Sequence, residues 1–124
     1  MMEIQKVGQI GIPVKDIGRA INFYQEKLDL PLMFNTDSMA FFDLNGLRLM
    51  LTLPENNQFD HPSSVLYFQV GDIKETYQEM LEKEVIFLDE PHVVTKIGHT
   101  ETWMVFFRDS EENVHALMSE VEVG

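Results

Sequence analysis

The chain has no cysteine, a single tryptophan and only nine basic residues, and each shortage removes a class of protein. Without cysteine there is no disulfide framework and no thiolate, and nothing in the composition asks for an oxidising compartment. Twenty-one acidic residues against nine basic ones leave a net charge of −12. That field repels phosphate backbones and anionic lipid, so neither nucleic acid nor a membrane surface is expected as a partner. No apolar run approaches the ~18 residues of a membrane span. The opening MMEIQKVGQ carries no apolar core of signal-peptide length, so the expected location is cytoplasmic. The acidic residues are scattered through the chain rather than gathered in a tail, which reads as a solvated surface.

What is there is 124 residues, 44% of them hydrophobic, the size of one ordinary domain. Its organisation shows in a repeat. Residues 7–28 (VGQIGIPVKDIGRAINFYQEKL) and 63–83 (SSVLYFQVGDIKETYQEMLEK) each run a β-prone stretch into a valine, an aspartate, an isoleucine and a helical pattern. Val14, Asp16, Ile17, Ala20, Ile21 and Tyr24 fall opposite Val70, Asp72, Ile73, Thr76, Tyr77 and Met80, a spacing of 56 residues. Self-similarity at a fixed spacing points to two copies of one supersecondary unit.

In the first copy Asp16 stands where a helix N-cap belongs, and Ile17, Ala20, Ile21, Tyr24 and Leu28 form one apolar stripe. Pro31 stops the helix. Three extended segments follow, 32–35, 39–44 and 47–53, the last two joined by Asn45-Gly46, a strong signal for a type I′ hairpin. Counting from that turn pairs Leu44, Phe42 and Ala40 with Leu47, Leu49 and Leu51 on one face, which should pack on the helix. The other face pairs Asp43 with Arg48, Phe41 with Met50 and Met39 with Thr52. It mixes a cross-strand ion pair with bulky apolar groups, as a cavity wall does.

Residues 54–62 (PENNQFDHP) read as a proline-bounded linker. The second copy has a strand at 64–70, Asp72 as N-cap with Glu75 in capping-box spacing, and a buried stripe of Ile73, Thr76, Tyr77, Met80 and Leu81. Extended segments are expected at 85–88, 92–95, 102–108 and 114–119. Residues 96–101 (KIGHTE) read as a loop insertion, and 120–124 as a fraying tail. The expected fold is α+β, one domain over 1–124 made of two βαβββ modules, about 4–53 and 63–119. Neither buries enough alone, so the two should pair and enclose a cleft between their second faces.

The opening GQIGIPVKDIGRAINFYQEKLDLPL, the paired modules and the closing FFRDSEENVHALMSE resemble the vicinal oxygen chelate superfamily of glyoxalases, bleomycin resistance proteins and extradiol dioxygenases. The likeness covers nearly the whole chain. Residues 106–113 resemble the family's FF-x-D-P-D-G-N turn, with Ser110, Glu111 and Glu112 in place of its proline, aspartate and glycine, which implies a less tight turn.

In metal-dependent members a divalent ion takes up to four ligands, one from the first and one from the last strand of each module, and acts as a Lewis acid. Carried across singly, those positions fall on Gln9, Met50, Val65 and Ala116. One neutral amide does not hold a hard cation, so no metal or other cofactor is expected, a divalent ion at a different site being the alternative. The resemblance and the strand alternation together imply a cleft lined by Gln9, Phe41, Met50, Val65, Tyr67, Phe106, Ala116 and Met118, with Arg48 and Gln69 as polar points. That is the make-up of a small-molecule pocket.

The four histidines show no metal-binding spacing. His99 and Glu101 form the best alternative acid/base pair, on what reads as a mobile insertion. Arg108 shares the cleft side with Phe106, and Trp103 reads as core. The resulting expectation is a protein that binds a small, partly apolar molecule without the standard metal, as a homodimer. The alternatives are a lyase, isomerase or dioxygenase-type enzyme and a purely structural dimerisation domain.

Overall fold

Asp16 and Asp72 start the two helices, in the same way. The Asp16 carboxylate accepts from the Arg19 amide at 3.0 Å to cap α1 (Ile17–Asn22), and Asp72 accepts from the Glu75 amide at 3.1 Å to cap α2 (Ile73–Glu82). Each such cap stabilises by about 1 kcal/mol. Both helices also end alike, on an acidic residue in the left-handed region, Asp29 at φ 55° and Glu84 at φ 66°. In this computed structural model residues 2–54, 58 and 60–124 are described. Residues 55–57 and 59 of the expected linker lie outside the described residues. The chain divides into two compact units, Met1–Pro62 and Ser63–Gly124, each a helix laid on a sheet. The fold class is α+β.

In the first unit α1 continues as a π-helical turn over Phe23–Lys27, closed by the Leu28 amide on the Phe23 carbonyl at 3.3 Å. Phe23, outside the expected stripe, is buried beside Tyr24, while Ile17, Ile21 and Leu28 are only half-buried. The sheet holds β1 (Gln9–Pro13), β2 (Leu32–Asn35), β3 (Met39–Leu44) and β4 (Leu47–Thr52) in the order β1-β4-β3-β2, with β1 parallel to β4. Asn45 and Gly46 both have positive φ, and the register is the one counted from the sequence, Leu44 on Leu47 through Met39 on Thr52. Ala40, Phe42, Leu49 and Leu51, with Ile12 of β1, expose no surface and form the helix-facing core.

The second unit has β5 (Tyr67–Gln69), β6 (Ile86–Phe87), β7 (His92–Ile97), β8 (Thr100–Arg108) and β9 (Val114–Glu122), ordered β5-β9-β8-β6 with β7 also on β8. Val105, Phe107, His115 and Leu117 are buried on the face that meets Ile73 and Met80 of α2. Four expectations are corrected here. Residues 96–101 are a continuous hairpin rather than a loop, turning at Gly98-His99 between the paired Ile97 and Thr100. Gly98 at φ 60° is the residue that a two-residue turn of this kind selects. The tail does not fray at residue 120, because β9 pairs with β8 as far as Glu122 and the Val123 amide bonds the His99 carbonyl at 2.7 Å. Only Tyr67–Gln69 of the expected strand 64–70 is paired. Leu81, placed in the buried stripe, is 38% exposed.

The β8–β9 connection is tight despite its substitutions. One oxygen of Asp109 accepts from the amides of Glu111 (2.7 Å) and Asn113 (2.8 Å), and the other from the Asn113 side chain (3.0 Å). Glu112 takes the left-handed conformation, φ 67°, that the expected glycine would supply freely. Asp109 also faces His115, whose Nε2 lies 3.8 Å from its carboxylate with both side chains fully buried. His115 Nδ1 accepts from the Leu66 amide at 3.2 Å, which leaves the ring proton on Nε2, towards Asp109. Burial pushes the pKa of this imidazole down, and the Asp109 charge only partly offsets it.

Two outcomes follow from this corner. Glu112→Gly should stabilise the fold by about 0.5–1 kcal/mol in urea denaturation, since relief of the left-handed backbone exceeds the added entropy of the unfolded chain. For His115 the folded pKa lies below the unfolded one, so the unfolded state binds more protons and stability falls as pH drops below about 6.5. His115→Asn, which keeps an acceptor for Leu66, should flatten the pH dependence of the urea midpoint between about pH 5 and 7.

Candidate functional site

Strand alternation leaves each sheet with one face turned away from its helix, and the expected site residues sit on those two faces. In the first unit the pairing of β1 with β4 sets Gln9 beside Arg48 and Gly11 beside Met50. Gln9 Oε1 accepts from Arg48 Nε at 2.9 Å, and Gln9 Nε2 donates to Met50 Sδ at 3.5 Å. The Arg48 guanidinium lies over the Phe41 ring, 5.5 Å from its centroid. Phe41 in turn stacks on Phe34 with centroids 4.6 Å apart.

The expected ion pair between Arg48 and Asp43 does not form, although their Cα atoms are paired. Asp43 Oδ1 instead accepts from the Gly46 amide at 3.2 Å, capping its own hairpin. A short side chain beside a turn satisfies the local amide first, and the long arginine is left to lie along the sheet.

In the second unit Ala116 of β9 pairs with Tyr67 on one side and Phe106 on the other. The two rings meet edge to face across it, 6.2 Å apart at 78°. Ala116 is therefore fully covered, a floor rather than an open lining residue. Tyr67 (48% exposed) and Gln69 face outward, Met118 and Phe106 are half-buried, and Val65 precedes the paired part of the strand. His99 and Glu101 are not brought together. Glu101 takes the Trp103 indole N–H at 3.4 Å, and no hydrogen bond or ion pair joins it to His99 among the described residues.

Phe34 was not foreseen as part of the first face. A register shift between Leu32 and Phe34 breaks the alternation of β2, so parity counted from the sequence misplaces it. The remaining signal was the aromatic itself, in an edge strand next to Phe41.

Over residues 6–114 the chain matches the family model described as the Glyoxalase/Bleomycin resistance protein/Dioxygenase superfamily. The chain belongs to that superfamily. It is similar to the metallothiol transferases FosB of Lysinibacillus sphaericus, 26% identical over 93 residues (71% of this chain, 66% of the relative), and of Staphylococcus saprophyticus, 28% over 91 residues (69% and 60%). It thus spans less than two thirds of the length of these curated relatives. In fold it is similar to a virulence protein of Salmonella typhimurium, TM-score 0.79 at 20% identity, covering 97% of this chain and all of that one.

The family's divalent ion does not fit the residues at its four positions. Val65 and Ala116 offer no donor atom, and Met50 offers only a thioether. The one suitable oxygen, Gln9 Oε1, already accepts from the Arg48 guanidinium at 2.9 Å. Among the described residues no three His, Asp or Glu side chains form an alternative cage. Protein loaded with excess Ni²⁺, Zn²⁺ or Mn²⁺ and then desalted should retain less than about a tenth of an equivalent by elemental analysis.

Proposed function

We propose that this superfamily member binds a small, partly apolar molecule bearing a carboxylate, on the sheet face of the first unit that carries Arg48, without the family's metal ion. The observation that supports it most is the Gln9–Arg48–Phe41 stack. A guanidinium clamped by a side-chain amide and laid on a ring has already lost the rotamer freedom that ligand binding would otherwise take from it. Its Nη groups have no partner among the described residues and form the planar fork that fits a carboxylate. The stacked Phe34 and Phe41 rings offer apolar surface beside it, and Met50 an adaptable one. In the second unit the Tyr67 hydroxyl and the Gln69 amide are polar points of the same kind. A lyase- or isomerase-type reading rests on His99 and Glu101, and no contact between them supports it.

Thermal-shift titration with sodium benzoate, phenylacetate and indole-3-acetate tests the reading. At least one of the three should stabilise the protein, and Arg48→Met should weaken that ligand by about tenfold or more. Arg48→Lys, which keeps the charge but loses the fork, should recover only part of the loss. If no aromatic carboxylate raises the melting temperature above a sodium chloride control, or Arg48→Met leaves the shift intact, the reading fails.

A further inference from the structure

The helix-facing side of the second sheet is not covered along its whole length. Ten residues of α2 span about 15 Å, whereas nine-residue strands such as β8 and β9 span about 30 Å. Beyond the helix N-terminus the face opens into a pocket of about 320 Å³. The N-cap Asp72 and Lys74 of α2 line it with Glu101 and Trp103 of β8 and Ser119 and Val121 of β9. Trp103 is paired with Ser119 and Glu101 with Val121, so four of these six come from two rungs of one ladder, one rung apart and on the same face.

Three observations say what this pocket is suited to hold. Ser119 is 1% exposed, and its hydroxyl is the one buried side-chain oxygen or nitrogen with no hydrogen-bond partner among the described residues. An unmade bond on a buried hydroxyl opposes folding, and a ligand that makes it removes that penalty. Next, the Trp103 face already receives a cation: Lys74 Nζ lies 4.8 Å from the ring centroid. The chain's own ammonium thus shows what that surface accepts. Finally, the lining holds two carboxylates, Asp72 and Glu101, against the single Lys74 ammonium. Lys74 makes no ion pair among the described residues, and the whole protein carries −12. An anion drawn to the helix N-terminus would meet both carboxylates, and Asp72 already caps the Glu75 amide there. The charge balance favours a cation.

We propose that this pocket is a second binding site, separate from the Arg48 face, for a small organic ammonium ion. The ammonium takes the place of Lys74 over Trp103, close to Glu101, and a ligand N–H donates to the Ser119 hydroxyl. Lys74 then acts as an internal competitor, displaced when the ligand enters.

Trp103 is the sole tryptophan, so its fluorescence and its single indole N–H resonance both report from inside the pocket. The probe is cyclohexylammonium chloride, with sodium cyclohexanecarboxylate as the anion of the same shape and sodium chloride as the ionic-strength control. The cation should give a saturable change with half-saturation at about 1–10 mM, and the carboxylate none beyond the salt control. Removing the competitor in Lys74→Met should tighten the cation about threefold. Glu101→Gln should weaken it about fivefold. Ser119→Ala should weaken it about fivefold while raising the melting temperature of the free protein by about 4 °C, a pairing that a purely structural serine would not give. The proposal is overturned if the cation gives no saturable change, if the carboxylate binds as well, or if Lys74→Met leaves binding unchanged or weaker. Should Ser119→Ala not fold, the Lys74 and Glu101 variants decide the matter by themselves.

Discussion

Everything in this molecule depends on the two-residue period of a β-strand set against a single covering helix. In the first unit Ile12, Ala40, Phe42, Leu49 and Leu51 expose nothing, and Gln9, Phe41, Arg48 and Met50 lie on the opposite side. A slip of one residue would exchange the two sets and force the Arg48 guanidinium against Tyr24 and Phe23. Burying an unpaired cation costs several kcal/mol, so the apolar face fixes where the polar chemistry points. The cluster of Gln9, Arg48, Met50 and Phe41 is thus a by-product of core packing as much as a feature in itself.

That constraint is also why so much was legible beforehand. Asn45-Gly46 set the hairpin turn, and pairing followed by counting because nothing between Met39 and Thr52 interrupts the alternation. The caps at Asp16 and Asp72 were equally plain, since a short carboxylate before an apolar period has one common use. Reading failed where the period itself changes. The π turn at Phe23–Lys27 adds a residue to one turn and carries the chain after it off the 3.6-residue period, and the irregularity after Leu32 turns Phe34 onto the face of Phe41. Neither leaves a mark in composition. Gly98-His99 failed for another reason: a two-residue turn was present, but the charged residues around it looked like a loop. The direction of Arg48 was beyond sequence altogether. Its choice of Gln9 over Asp43 depends on Asp43 being taken by the Gly46 amide, a competition visible only in three dimensions.

The β8–β9 corner shows which parts of a recognised motif carry its geometry. Asp109 and Asn113 remain, and between them they close the turn with one carboxylate and four residues of chain. Ser110, Glu111 and Glu112 replace the residues between, and the backbone still reaches the left-handed conformation at Glu112. The hydrogen bonds to Asp109 outweigh the strain of a non-glycine residue there, of the order of 1–2 kcal/mol. With Asp29 and Glu84 at the two helix ends, this makes three acidic residues at positive φ where glycine or asparagine would sit more easily. The chain tolerates that strain at three exposed corners, each already held by backbone bonds on both sides.

The same period, combined with unequal element lengths, places two different chemistries on the two sides of the fold's layers. The sheet face turned away from its helix accumulates rings, thioethers and a clamped guanidinium. The helix-facing side is sealed only where α2 reaches, and just past its first turn the ladder of Glu101, Trp103, Ser119 and Val121 emerges. These two places stand differently in the field of the molecule. With −12 spread over the surface, an incoming cation gains at long range, whereas an incoming carboxylate is opposed until it is within hydrogen-bond reach of Arg48. The Arg48 face must therefore rely on contact geometry, which is what its amide clamp and ring support provide. The Trp103 pocket can rely on attraction alone to fill it, and its own Lys74 is the nearest ammonium to answer that attraction.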